Sequence, residues 1–333
     1  MPVITSCSYR PPFWYPGGHA QTILPRLLHA APAISYVRER VATDDNDFFT
    51  LDWLHAERRN CGKPKVAILS HGLEGSSRSR YMRCAAHALA RRGWDVAARN
   101  YRSCGGEMSR APKLYHSGET GDLHTAILHC LRKGYTRVAL VGFSVGGNQV
   151  LKYLGEAPER APAAVAAAAA ISVPCDLHGC SMTLARRENW IYMEYFMRSL
   201  RAKVREKHKV FPELFPVAGL GAMRTFEEFD GAYTAPRNGF ADARDYWTKA
   251  SCAPFIRDIR IPSVIINARN DPFLTESCYP IRAAEENPMV FLMMPKEGGH
   301  VSFPDGPGSG TAWLHDAIIG FLEQSDGASL CPA

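Results

Sequence analysis

The residues Val138-Ala-Leu-Val-Gly142-Phe-Ser144-Val-Gly146-Gly-Asn148 constrain the fold of this chain more than any other stretch. Four apolar residues running into Gly142 have the pattern of a strand buried on both faces of a parallel sheet. The residues after Gly147, Asn-Gln-Val-Leu-Lys-Tyr-Leu-Gly-Glu, read as a helix. Between them stands Gly-x-Ser-x-Gly, which at a strand-to-helix junction forms a nucleophile elbow. The turn is sharp, so Ser144 must take a strained backbone conformation, and Gly142 and Gly146 leave room for close packing. A hydroxyl placed this way stands at the carboxyl edge of the sheet, beside a helix N-terminus that favours negative charge.

Such a junction predicts alternating strands and helices, and the chain supplies them. Ile34–Val41 and Phe48–Leu54 alternate as strands around Thr-Asp-Asp-Asn-Asp, a hairpin signal. Strands are also expected at Lys65–Ser70, after Gly93, at Val138–Val141, after Ile261 and after Met289. Ala163–Val173 is ambiguous, because alanine favours helix while its place in the alternation favours a buried strand; strand is chosen. Helices are expected at about Tyr81–Arg92, up to Lys133 with Thr120 or Asp122 as cap, and at about Thr311–Glu323. From about Cys175 to Thr248 the alternation stops, and a long helical pattern runs from about Met182 to Lys207.

The expectation is therefore an α/β fold: about eight strands in a mostly parallel sheet flanked by helices, with a helical cap inserted after strand six. The core is formed by residues 1–174 and 249–333, with 1–30 as an N-terminal strap, and residues 175–248 form the cap. The 333 residues suffice for such a domain. His19, within the strap, is read as a hydrogen-bonded structural residue rather than a site residue.

A serine hydroxyl needs a base to take its proton, and the base needs a third group to fix its tautomer. In this architecture the order is Ser, acid, His, each at the carboxyl end of a strand. Asp271 and His300 satisfy both conditions, and Asp258 and Asp305 are the rival acids. His116, His124 and His129 are read as structural. The developing oxyanion requires two backbone N–H groups, assigned to Val145 and to Leu73 in His71-Gly-Leu-Glu-Gly; His71 shapes that loop and is not the base.

Other chemistries find little support. Arg102-Ser-Cys-Gly-Gly-Glu lacks the spacing of a phosphate-binding loop. The ten cysteines contain no C-x-x-C pair and no zinc-ligand spacing, so no metal or organic cofactor is expected. The chain begins without a secretion signal, which places the cysteines as reduced thiols in a cytoplasmic protein. Its formal net charge of +6 is concentrated in residues 186–209, too small a basic footprint to predict nucleic-acid binding.

Several segments together resemble the YheT-like branch of the α/β-hydrolase superfamily. They are Gly18-His-Ala-Gln-Thr, His71-Gly-Leu-Glu-Gly-Ser, Asn100-Tyr-Arg-Ser-Cys-Gly-Gly, His116-Ser-Gly, Gly142-Phe-Ser-Val-Gly-Gly-Asn, Asp271-Pro-Phe and Gly298-Gly-His-Val-Ser-Phe. The resemblance implies the α/β-hydrolase fold and a serine carboxylesterase or acylglycerol-lipase activity on a small-molecule ester or lipid. It maps the triad onto Ser144, Asp271 and His300. The chain departs from the family pattern at Asn270, where Asp is common, and at Ser302, where Gly is common. An acyltransferase with the same triad and a non-catalytic binding protein of the same fold are the alternatives.

Within the cap, Trp190–Leu200 is rich in large apolar residues and is followed by a basic stretch. One reading lines an acyl pocket with this segment and brings its basic end to anionic lipid in transient membrane-surface contact. The other packs its apolar face on the core and leaves the charges solvated. Periodicity does not separate the two.

Overall fold

All eight expected strands form: the inner ones bury both faces, while β2, at the sheet edge, is half-buried to exposed along most of its length and is held by its hairpin with β3. The computed structural model describes residues 3–4, 8–56, 64–306 and 311–324. The strands are β1 (Val3–Ile4), β2 (Val37–Ala42), β3 (Phe48–Leu54), β4 (Lys65–Ser70), β5 (Asp95–Asn100), β6 (Arg137–Phe143), β7 (Val165–Ile171), β8 (Ser263–Ile266) and β9 (Val290–Met293). They make one sheet in the order β1-β9-β8-β7-β6-β4-β5-β3-β2. β2 pairs antiparallel with β3, and β3 with β5; the remaining pairs are parallel. The ninth strand, β1, was not expected: two residues carry no readable period, and only pairing with β9 makes them a strand. The alanine-rich β7 is a strand because it lies between β6 and β8, where small side chains fit on both faces.

Helices cover the two faces of the sheet. On one side α2 (Arg80–Arg91) and α11 (Ala312–Gln324) bury Met82, Leu89, Leu314 and Ile318 against Val141 and Phe143. On the other, α3 (Gly121–Arg132), α4 (Val145–Glu156) and α10 (Ile281–Glu286) bury Ile127, Leu151 and Ala284 against Val138 and Leu140. The alternation of β6 thus serves both cores. Neither expected cap of α3 acts as one. The Thr120 hydroxyl donates to Glu156, while the Asp122 carboxylate takes the Arg102 guanidinium at 2.6 and 2.8 Å.

Gly155, near the end of α4, is a packing requirement: a Cβ there would lie 2.1 Å from the Phe255 carbonyl oxygen. Alanine at a helical position gains up to about 1 kcal/mol in propensity, but a clash with main chain costs about 1–3 kcal/mol. Gly155→Ala is therefore expected to lower stability, read as a lower urea midpoint at unchanged slope.

The segment expected to be an N-terminal strap contains a twelve-residue helix, α1 (Gly17–Leu28), with Pro25 inside it. Its Pro-Gly-Gly opening reads locally as loop, and the helix is held by tertiary contacts. The single long helix expected at 182–207 is two, α5 (Leu177–Leu184) and α6 (Trp190–His208). Arg186 is extended between them, and the Asn189 amide donates to the carbonyls of Thr183 and Pro272, both at 3.0 Å. α7 (Phe226–Phe229), a π-helical turn at Asp230–Thr234, α8 (Ala235–Arg237) and α9 (Ala243–Ala250) complete the helical segment between β7 and β8. This segment has an apolar cluster of its own, including Met197, Phe215, Phe229 and Trp247, which reaches Leu114 and Phe273 of the sheet domain.

Seven cysteines are buried free thiols; Cys7, Cys61 and Cys331 lie outside the described residues. Among the described residues no helix is long and apolar enough to cross a membrane, and no cluster of His, Cys, Asp or Glu could hold a metal ion.

Candidate active site

Ser144 ends β6 and begins α4 with φ 55° and ψ −121°, a left-sided conformation that a non-glycine residue rarely takes. The elbow holds it there. Ser144 N–H donates to the Ile171 carbonyl at 2.8 Å, and the Ser144 carbonyl accepts from Asn148 N–H at 3.1 Å. The flanking glycines are sterically required. A Cβ on Gly142 would lie 2.3 Å from the Gly146 carbonyl oxygen, and one on Gly146 would lie 2.3 Å from the Ser70 carbonyl oxygen.

Asp271 follows β8 and His300 follows β9, and His300 stands between Asp271 and Ser144. His300 Nε2 lies 3.0 Å from Ser144 Oγ, and His300 Nδ1 lies 2.8 Å from Asp271 Oδ2. The other Asp271 oxygen accepts from Phe273 N–H at 2.9 Å, and the Phe273 ring lies 4.1 Å from the imidazole. All three polar residues are buried. The His300 loop runs through left-handed conformations at Gly299, Val301 and Phe303, and Val301 N–H is tied to Ser172 Oγ at 2.9 Å. The rival acids are elsewhere: Asp305 accepts from Trp313 N–H, and Asp258 lies 3.9 Å from Arg257 at the surface.

The His71–Gly75 loop lies against the elbow, with Gly72 so close that a Cβ would come 3.1 Å from that of Ser144. Gly72 N–H donates to Tyr81 OH and Glu74 N–H to Tyr115 OH, while Leu73 between them lines a pocket with Val145. Val145 opens α4, where a helix leaves its first N–H groups without intrahelical partners. His71 is wholly buried, and burial lowers its imidazole to about 3, so it stays neutral. Its Nε2 accepts from Tyr101 N–H at 3.2 Å, a role in holding the loop.

A pocket open to solvent lies above Ser144, lined mainly by apolar side chains. Leu177, Leu184, Phe196, Leu200 and Phe226 of the helical segment supply its apolar wall. Trp190–Leu200 divides among three environments, and in the basic stretch after it Arg201, Lys203 and Lys207 are buried, neither solvated nor turned to a surface. Phe196 and Leu200 face the pocket, Met193 and Met197 pack inside, and Trp190, Ile191 and Tyr195 face outward.

Of the other histidines, His116 lines the pocket, and burial lowers its imidazole. His124 pairs with Tyr153 OH at 2.9 Å, and His129 lies 3.2 Å from Glu39. His19 meets Tyr192 OH at 3.1 Å rather than any member of the Ser144 cluster.

Local sequence hid two groups. Glu74, at φ 54°, accepts from Lys203 Nζ at 2.6 Å, Ser199 Oγ at 2.5 Å and Tyr115 OH at 2.8 Å, joining the Leu73 loop to α6 through a buried ion pair. Burial alone would lower the Lys203 ammonium, but Cys104 and Glu74 outweigh it and hold it above its usual range. The partners are 129 residues apart, so no spacing rule finds them. Asp230 lines the pocket from the π-helical turn, accepts from Trp247 Nε1 at 2.9 Å, and is pushed up to about 6 by burial. A raised carboxyl favours the fold below its unfolded value of 3.8 and loses that contribution as pH rises through about 6. The stability difference between wild type and Asp230→Asn should therefore move against wild type from about pH 4 to 6, measured by urea melts at each pH.

A family model described as the alpha/beta hydrolase fold matches residues 66–307. The chain belongs to the α/β-hydrolase family. Within it, the chain is 33% identical to the presumed esterase YheT of Escherichia coli K12, over 91% of this chain and 88% of that one. It is 29% identical to the human phospholipase ABHD3, over 92% of this chain and 75% of the relative. An esterase of Pyrococcus furiosus shares the fold with a TM-score of 0.59 at 18% identity, over 90% of this chain and 96% of the other. The YheT-like resemblance of the sequence motifs is thereby borne out, and this α/β-hydrolase stands among esterase- and lipase-type relatives.

Proposed function

We propose that this α/β-hydrolase cleaves carboxylic esters through an acyl-enzyme on Ser144. The observation that carries the proposal is the continuous chain from Ser144 Oγ through His300 to Asp271, at 3.0 and 2.8 Å, beneath an apolar pocket. His300 Nε2 takes the hydroxyl proton as Ser144 attacks the ester carbonyl, and Asp271 orients the ring and stabilises the imidazolium. The N–H groups of Leu73 and Val145 receive the oxyanion. Collapse of the tetrahedral intermediate expels the alcohol, which takes the proton from His300. Water then attacks the acyl-enzyme with His300 again as base, releasing the acid. Residues 175–248 act as a cap whose apolar side chains hold the acyl chain.

A fluorophosphonate probe should label Ser144, with turnover rising along a series of nitrophenyl esters until the chain outgrows the pocket. An unlabelled, folded protein would leave only a binding role. Acyl transfer to an added alcohol in preference to water would reassign it as an acyltransferase.

We further propose that the outward residues Trp190, Ile191 and Tyr195, flanked by exposed Arg186, Arg187 and Arg198, meet anionic lipid surfaces. Salt-sensitive sedimentation with phosphatidylglycerol vesicles tests this contact. The buried free thiols fit a reducing compartment such as the cytoplasm.

A further inference from the structure

α1 approaches the acid loop and the histidine loop more closely than an ordinary packing helix. A Cβ on Gly18 would fall 1.9 Å from the Asn270 carbonyl oxygen, and one on Gly299 would fall 2.8 Å from Thr22 Oγ1 and 2.9 Å from Gln21. The contacts across this seam are polar and directed. Gln21 is fully buried, and its Oε1 accepts from Gly298 N–H at 2.8 Å and from Asn270 Nδ2 at 2.9 Å. Its Nε2 donates to the Tyr15 carbonyl at 2.9 Å and to Glu297 at 3.2 Å, so the whole hydrogen-bonding capacity of the amide is used. Thr22 Oγ1 accepts from His300 N–H at 2.9 Å and donates to the Gly18 carbonyl at 2.6 Å. Asn270 Oδ1 accepts from Gly299 N–H at 3.1 Å.

Three consecutive N–H groups, those of Gly298, Gly299 and His300, are thus satisfied by the side chains of Gln21, Asn270 and Thr22. This loop has no ladder or helix of its own in which to place them, and its left-handed residues store strain that something external must hold. Asn270 suits the central place because an amide both donates to Gln21 and accepts from Gly299; a carboxylate could only accept. Ser302 adds only a long contact, 3.5 Å to the Thr22 carbonyl. α1 lies outside the segment that matches the family model, which begins at residue 66.

We infer that Gln21 and Thr22 are positioning residues for the His300 base, acting through the main chain of its loop and through Asn270, so that the sheet domain is catalytically incomplete without α1. This rests on the reading of Ser144, His300 and Asp271 as the reacting groups. A base displaced by a fraction of an ångström no longer meets Ser144 Oγ and Asp271 together. The loss therefore falls on the chemical step, while the pocket wall, formed mostly by other residues, keeps its grip on substrate.

The experiment compares Thr22→Val, which is isosteric but cannot accept from His300 N–H, with Thr22→Ser, which can. Thr22→Ala and Gln21→Leu serve as independent variants. Rates on a short-chain nitrophenyl ester are normalised to the folded fraction from thermal melts. The expected result is a kcat lower by about 10- to 100-fold in Thr22→Val, Thr22→Ala and Gln21→Leu, with KM within about 3-fold and Thr22→Ser close to wild type. Fluorophosphonate labelling of Ser144 should slow in step with kcat. Unchanged kcat in the folded variants overturns the inference. So does a loss that Thr22→Ser shares, or one that vanishes after correction for folded fraction, since either outcome makes the seam merely structural. Wild-type turnover that survives Ser144→Ala would instead overturn the triad reading, and the two failures are told apart by that control.

Discussion

Ser144→Ala is expected to lower kcat for ester hydrolysis by roughly 10⁶-fold, the loss found when the nucleophile of a serine triad is removed. The change deletes one oxygen and leaves His300, Asp271 and the proposed oxyanion donors in place. Residual catalysis then comes only from binding and oxyanion stabilisation, because neither His300 nor Asp271 can form the acyl-enzyme. Alanine keeps the Cβ at the positive φ of the elbow, so strain and fold are unchanged. Active-site-titrated turnover and a thermal melt measure the two halves. A variant that melts like wild type and retains more than about 1% of its rate removes Ser144 from the mechanism.

Lys203→Met is expected to cost about 3–5 kcal/mol of stability, the loss that follows when one partner of a buried ion pair is left alone. The Lys203 and Glu74 side chains are only 7% and 2% exposed. Methionine fills much of the space of the lysine stem but cannot neutralise Glu74, and the neutral donors Ser199 and Tyr115 compensate only in part. Glu74 adjoins Leu73, so activity should fall with stability as the loop carrying the proposed oxyanion donor loosens. Pairing the change with Glu74→Gln removes the stranded charge and should recover a large part of the loss, a coupling read from a double-mutant cycle in urea. A loss below about 1 kcal/mol in the single variant would mean that water reaches Glu74 and that the pair does not hold α6 to the loop.

The parts of the fold legible in sequence are those whose signal is local. The strands β4, β6, β8 and β9 announce themselves as apolar runs and β2 and β3 as alternation around a turn, whereas the alanine-rich β7 reads equally as helix. The elbow does so because a sharp strand-to-helix turn tolerates only small residues two positions to either side of Ser144, at Gly142 and Gly146. Asp271 and His300 are legible for a related reason: once the strand order is known, chain order places them at strand ends on the same edge. The sequence misleads where tertiary contacts override local preference. Pro16-Gly17-Gly18 reads as loop, yet α1 starts there because its seam with Asn270 and Gly299 needs bare backbone. Residues 182–207 read as one helix, yet the chain breaks at Arg186, where Asn189 bonds to the acid loop.

The residue pattern alone marked most of the strands and the strand-to-helix turn at Ser144, since each depends on periodicities within a few residues of chain, and chain order nominated Asp271 and His300 as its partners. Tertiary structure alone decided what holds those groups in register: Gln21 and Thr22 on the histidine loop, and Lys203 on Glu74. These partners are separated by 277, 278 and 129 residues. A hydrogen bond or ion pair depends on distance in space, and at such separations only the folded chain sets that distance.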